Sequence, residues 1–207
     1  VDFVVFTVIP SVDDDIATKS AIQALVTDFT DYEDCVLMAR RNSDNTTAKF
    51  TFSTKDKLED SNWSEIFDKN EGTVMGPYLS SQGVYRIAKL AASEHRPDSV
   101  EARHILISTQ TMSLDSAEKR IDELKLQIEN GADFGNLAQI HSEDKGSAIK
   151  GGDLDWFQEG LMVDEFNEAC FSSKVGELSV VTSQFGIHLI EVTNKSTSRQ
   201  KIKVAYI

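Results

Sequence analysis

Short apolar runs and alternations mark strands at VDFVVFTVI (1–9), at the end of GTVMGPYLSSQGVYRIAKL (72–90), at EARHILIST (101–109) and at the end of GELSVVTSQFGIHLIEV (176–192). Alternation places one face of each in a core. Helical spacing takes over between them. DDDIATKSAIQALVTDF puts Ile22, Leu25 and Phe29 on one stripe. SLDSAEKRIDELKLQIENG does the same with Ala117, Ile121, Leu124 and Ile128, and Gly131 stops it. DYEDCVLMARRNSD and DFGNLAQIHSED each open on an Asp followed by an aromatic, Asp31 and Asp133, as candidate N-caps. NWSEIF and DEFNEACF read as short third helices.

The elements recur in the same order, which is an internal repeat. Each half runs strand, helix, helix, short helix, then a two-strand hairpin opened by Gly72 or Gly176. The expected organisation is a unit at 1–93, a connector at 94–100 (SEHRPDS around Pro97), a second unit at 101–194, and at 195–207 a terminal strand or the start of a further element. Strands and helices mixed without strict alternation predict an α+β fold: two units, each a small, mostly antiparallel sheet surrounded by helices.

The net charge of −13 opposes a nucleic-acid partner, because phosphate contacts need Lys and Arg. No apolar run reaches the roughly 20 residues of a membrane helix. Val1 starts without a basic leader, and KIKVAYI ends on a strand, so the segment reads as cut from a longer chain, with any anchor or targeting element expected outside it. Cys35 and Cys170 lie in apolar helical stretches, read as buried inert thiols, with no CxxC and no disulfide framework.

The halves differ in their polar chemistry. The second has KGGDLDWF where the first has NTTAKFTFSTKDKLED. The second has His104 and His188 in its first and last strands; the first has no His, and Tyr85 stands where His188 would be. The first unit is therefore expected to keep the scaffold without inward polar groups. After Gly151 and Gly152 comes a small apolar shelf with Met162, Phe166 and Phe171. The pattern alone leaves it as core, peptide pocket or part of a catalytic site. Trp156 and Phe157 read as core or rim, and His95 and His141 as surface. A metal set of His104, His141, Asp144 and His188 has no ligand spacing behind it, so no metal and no cofactor is expected.

Taken in order, ARHILI, ADFGNLAQIHSED, KGGDLDWF, LMVDEFNEACF, GELS and SQFGIHLIEV resemble the parvulin family of peptidyl-prolyl cis-trans isomerases. The first unit resembles a degenerate copy. The tandem arrangement is similar to that of foldases of the bacterial periplasm. The resemblance implies a histidine pair at His104 and His188, the family's Cys-or-Asp position at Asp144, and its hydroxyl at Ser183. It implies a proline cup of Leu154, Met162 and Phe166, with Phe185 at the rim. Asp155 departs from the usual Gly, and Ser183 from the usual Thr. The activity that the resemblance implies is noncovalent twisting of X–Pro amides in unfolded polypeptide, in the periplasm or cell envelope. The alternative is a noncatalytic module that holds extended chains. The loop STQTMSLDS has no Lys or Arg, so no phosphopeptide preference is expected.

Overall fold

A computed structural model of the chain describes residues 10–45, 48–110 and 112–207. The strand expected at 1–9 lies outside the described residues. The chain divides into two compact units: residues up to Glu94 together with Gln200–Ile207, and His95–Arg199.

In the first unit, the stripe predicted across 13–29 forms two helices, α1 (Val12–Ala24) and α2 (Val26–Asp31). They part at Leu25, whose N–H turns to the Ile22 carbonyl. The next helix, α3 (Cys35–Asn42), starts later than the sequence suggests. Tyr32 is extended, and the cap is Asp34, whose carboxylate accepts the Leu37 N–H at 2.9 Å, in place of Asp31. NWSEIF forms a short 3-10 turn. The sheet contains β1 (Phe52–Ser53), β2 (Val74–Leu79), β3 (Tyr85–Pro97) and β8 (Ser198–Tyr206), ordered β1-β8-β3-β2. The terminal residues therefore form a central strand of this unit.

Inward polar groups are present in this unit, contrary to the sequence expectation. Asp60, Arg86 and Lys89 are all buried. The Lys89 ammonium donates to the carbonyls of Phe29, Thr30 and Tyr32 at 3.1, 2.7 and 3.0 Å, closing the C-terminal end of α2. Arg86 pairs with Asp60 at 3.1 Å. These contacts stitch helix to sheet, and the plain alternation of β3 hides them.

In the second unit the sheet contains β4 (Ser99–Ser108), β5 (Asp153–Gln158), β6 (Leu178–Ser183) and β7 (Gly186–Lys195), ordered β5-β4-β7-β6 and antiparallel throughout. Residues 94–100, read as a connector, lie almost wholly in β3 and β4. Pro97 ends β3 and the extended chain breaks only at Asp98, where the Asp98 and Ser99 N–H groups both reach the Ser196 hydroxyl.

Period two sorts the side chains of β4 and β7 onto two faces. Ile105, Ile107, Ile187 and Leu189 pack on helices α4 (Leu114–Glu129) and α5 (Phe134–His141) through Ala117, Ile121, Leu124 and Phe134. The Ser113 and Asp133 caps start these two helices. The other face carries Val100, Ala102, Ile190 and Val192 against Phe166, Cys170 and Phe171 of α7 (Asp164–Ser172). Both cysteines are free and buried, and burial pushes the Cys170 thiol up to about 12.

Candidate active site

His104 and His188 belong by parity to the α7 face of the second sheet. The register pairs His104 with Ile190 and Leu106 with His188, so the two rings are diagonal neighbours. Their Nδ1 atoms lie 3.2 Å apart, and the rings stack within 15° of parallel. The Phe166 ring meets both edge-on, with centroids at 5.4 and 5.2 Å. Both histidines are about 95% buried.

Asp144 is brought to this pair by the edge of β4. The Leu106 N–H donates to the Ser142 hydroxyl at 3.1 Å, and the Glu143 N–H returns to the Leu106 carbonyl at 2.8 Å. Asp144 follows as the N-cap of a single turn, α6 (Lys145–Ala148). Its Oδ1 accepts the Gly146 N–H at 3.1 Å. Its Oδ2 lies 2.9 Å from His104 Nε2 and accepts the Ser147 hydroxyl at 2.6 Å. Asp144 is thus both helix cap and site residue. Gly152 closes the opposite side. Its carbonyl accepts the His104 N–H at 2.9 Å, and a Cβ there would lie 2.3 Å from the His104 carbonyl oxygen.

Protonation states follow from this geometry. Burial holds His188 down at about 4, and the neighbouring His104 pushes the same way. Burial also lowers His104, against the hydrogen bond and charge of Asp144. Burial pushes Asp144 up, but the hydrogen bonds from Ser147, His104 and the Gly146 N–H outweigh it, and its carboxyl titrates below its ordinary value. At neutral pH both rings are uncharged and Asp144 is a carboxylate. A carboxylate demands a donor, so His104 carries its proton on Nε2. His104 Nδ1 then accepts, His188 Nδ1–H donates to it, and His188 Nε2 accepts. Ser183 meets that requirement: its hydroxyl is 2.7 Å from His188 Nε2 and accepts the Phe185 N–H at 3.1 Å. One polarised chain runs from the Phe185 amide through Ser183, His188 and His104 to Asp144.

Beside this chain opens a cavity of about 570 Å³, lined by the predicted His104, His188, Asp144, Leu154, Met162, Phe166 and Phe185. Ser183 reaches it through His188. Five further lining residues or contacts escaped the sequence reading: Leu106, Glu143, Leu161, Val163 and, bonded to Asp144, Ser147. Leu106 was findable, two residues from His104 in one strand. Ser147 was findable as the residue three beyond a capping Asp. Leu161 gave no signal; it is 71% exposed at the rim.

Two devices hold the cup. The β4–β5 register shifts between Glu101–Trp156 and Arg103–Asp153, leaving Leu154 and Asp155 in a bulge. Asp155 takes φ 55° there, so the departure from Gly keeps the left-handed turn and aims Leu154 at the cavity. The loop bearing Leu161 and Met162 is anchored by the Gly160 N–H, which donates to buried Asn167 Oδ1 at 2.7 Å. Arg96 adds an ion pair to Glu159 at 3.0 Å. His141 lies apart, on Arg120 at 3.0 Å. Trp156 is half exposed, and Phe157 is buried in the core under α7.

A family model described as the PPIC-type PPIASE domain matches residues 85–196, just over half of the chain. The Chaperone SurA of Methylococcus capsulatus is 42% identical over 134 residues, which cover 62% of this chain and 29% of that protein. The Foldase protein PrsA of Geobacillus kaustophilus is 43% identical over 101 residues, covering 48% of this chain and 33% of that protein. The crystal structure of peptidylprolyl isomerase PrsA from Bacillus anthracis is similar at TM-score 0.44 and 36% identity, over 51% of this chain and 45% of that one. The chain thus spans about a third of the length of these curated relatives.

Proposed function

Because the chain belongs to the PPIC-type peptidyl-prolyl cis-trans isomerase family, we propose that residues 95–199 isomerise X–Pro bonds in unfolded or partly folded polypeptide and so assist folding. The observation that carries this reading is one cavity in which an apolar cup meets a polar chain ending on a carboxylate. A planar amide resists rotation by about 18–20 kcal/mol because its C–N bond is partly double. Catalysis therefore needs tighter binding of the twisted amide than of either planar form, about 4 kcal/mol for each thousandfold.

Leu154, Met162 and Phe166 hold the proline ring while the preceding carbonyl swings. A planar amide oxygen carries resonance negative charge, which the Asp144 carboxylate opposes. Twisting removes the resonance and that charge, so the repulsion falls in the transition state. The histidines and Ser183 act as positioning residues: their fixed tautomers keep the His104 donor on Asp144 and the charge in place. No covalent adduct forms in this scheme, and trapping one on Asp144 during turnover would refute it.

The unit of residues up to 94 with 200–207 is proposed as a noncatalytic parvulin-like copy that binds extended chain or serves as scaffold. Its support is a strand order equivalent to that of the second unit. Tyr85 is not the counterpart of His188, since it packs with Ile87 on the face of α1 and α2 and donates to Asp15 at 3.1 Å, whereas Arg86 takes the face of Ala88, Leu90 and Tyr206. The names of the relatives, chaperone and foldase, accord with action on folding polypeptide. The proposed location is the bacterial periplasm or envelope. Among the described residues no helix is long and apolar enough to cross a membrane.

The test is cis-to-trans exchange of an unphosphorylated Ala–Pro peptide, followed by NMR, with the chain and with an Asp144→Ala, His188→Ala variant shown to be folded. Acceleration lost in the folded variant supports the reading. No acceleration by the parent chain leaves the chain-binding module as the function.

A further inference from the structure

Two carboxylates line the cavity, and they are differently engaged. Asp144 is occupied by His104, Ser147 and the Gly146 N–H. The adjacent residue, Glu143, has its backbone fixed by the Leu106 carbonyl at 2.8 Å. Its side chain is exposed at the cavity and has no hydrogen-bond or ion-pair partner among the described residues. A rigid backbone thus presents an uncommitted negative charge.

Among the described residues, no Lys or Arg lines the same cavity to offset it. The cations nearest in sequence are engaged elsewhere. The Lys145 ammonium donates to the Ser142 carbonyl at 2.7 Å, and Lys150 pairs with Asp155 at 3.5 Å. The two histidines are neutral. A peptide seated with its proline in the cup therefore places its flanking side chains in a field of one sign, in a cleft partly shielded from water.

We propose that Glu143 is a specificity-determining residue: the site favours a Lys or Arg within two residues of the substrate proline and disfavours an acidic or phosphorylated residue there. This rests on the isomerase reading for its rate effect, and on the cavity alone for its binding effect. Unit charges about 8 Å apart in a half-solvated cleft change kcat/KM about fivefold in each direction. Raising ionic strength to about 0.5 M suppresses most of that, since the screening length then falls well below 8 Å. Phosphate, with up to twice the charge, is disfavoured more strongly than Glu.

The experiment compares three peptides, Lys–Pro, Ala–Pro and Glu–Pro, with otherwise equal sequence, using the full chain. Exchange NMR gives kcat/KM, and shifts of the His104 and His188 ring signals give Kd. Glu143→Gln is compared with Glu118→Gln, the same charge change on exposed α4. The expected order is Lys–Pro over Ala–Pro over Glu–Pro. The Lys-to-Glu ratio collapses in Glu143→Gln and persists in Glu118→Gln. A ratio near one in the parent chain overturns the proposal. So does a ratio unchanged by Glu143→Gln, or lost equally in Glu118→Gln, which assigns the effect to net charge. If no peptide is accelerated, the isomerase reading fails, while the Kd ratio still decides the role of Glu143.

Discussion

Replacing Gly152 with Ala tests whether the backbone beside His104 is as closely packed as the site requires. Gly152 has φ 84°, and an added Cβ would lie 2.3 Å from the His104 carbonyl oxygen and 3.2 Å from the Ala138 Cβ. Gly176 is the matched control: φ is 80°, and a Cβ added there would meet nothing within 4 Å. Each Ala meets the same left-handed penalty, about 1–2 kcal/mol, reduced by some 0.5 kcal/mol because Ala also restricts the unfolded chain. Gly176→Ala therefore costs about 1 kcal/mol. At Gly152 the Cβ needs about 1 Å more room against backbone on β4. That disrupts the hydrogen bond from the His104 N–H to the Gly152 carbonyl, worth about 1 kcal/mol, and adds overpacking strain of about 1–3 kcal/mol. The expected total is about 3–5 kcal/mol. Hydrogen exchange of the Ile105 and Leu189 amides over a urea series reads the second unit alone. Equal costs at the two glycines, within about 0.5 kcal/mol, would refute the argument that His104 is held by this contact.

Three further outcomes are expected. Because the folded His188 titrates at about 4, below its ordinary 6.5, its stabilising contribution is complete above about pH 6.5 and is lost as pH falls toward 4. The full loss is about 3 kcal/mol; urea titrations at pH 7 and pH 4.5 check it, and a folded His188→Asn variant that keeps the whole pH dependence contradicts the assignment. Deleting 200–207 removes Ile202, Val204, Tyr206 and Ile207 from the centre of the first sheet, at about 1.5–3 kcal/mol per large side chain, comparable with a domain's entire stability. Exchange protection should vanish at Ile87 and Leu90 and persist at Ile105 and Leu189; retained protection in β3 counts against a structural role for β8. Asp155→Gly relieves φ 55° and loses only an exposed contact at 3.5 Å, so it raises stability by about 0.5 kcal/mol, read as a rise in Tm; a fall shows that the side chain holds the bulge.

The site was legible in the sequence wherever side-chain periodicity and motif order agreed. His104 and His188 sit at even positions of paired strands, and parity alone assigns them to the face of Val100 and Ile190. Met162 and Phe166 are four apart and share a side of one chain segment. What the sequence hid was connection through backbone. Ser142 and Ser147 are ordinary in composition, yet one ties the 142–144 segment to β4 and the other completes the donors on Asp144. The direction of the hydrogen-bond chain was equally hidden. It depends on the Phe185 N–H meeting Ser183, a contact made by a turn and indifferent to the identity of the side chain. Buried Asp60, Arg86 and Lys89 were missed because their partners lie at separations of up to 60 residues, and those of Lys89 are backbone carbonyls.

The shared order of elements was visible in the sequence, but the closure of the first sheet was not. In the second unit the chain's successive strands, β4, β5, β6 and β7, stand in the order second, first, fourth, third. In the first, β1, β2 and β3 take the places of the second, third and fourth strands, and β8 takes the place of the first. Its even residues, Ile202, Val204 and Tyr206, pack with Trp63 and Ile66, and its odd residues, Ala205 and Ile207, with Phe29 and Met38. A strand buried on both faces cannot remain unpaired, because each unmade backbone hydrogen bond is costly away from water. The tail KIKVAYI alternates too weakly in polarity to announce a one-sided strand, and that is the signature of a strand covered on both sides. Its place in the sheet is set by long-range complementarity with β3, through the paired bonds between Ile87 and Ile207 at 3.1 and 3.0 Å. The second unit is thereby an insertion within the first, entered along β3 and left along β8. A reading in linear order ends the first unit at 93, whereas the packing ends it only at Ile207.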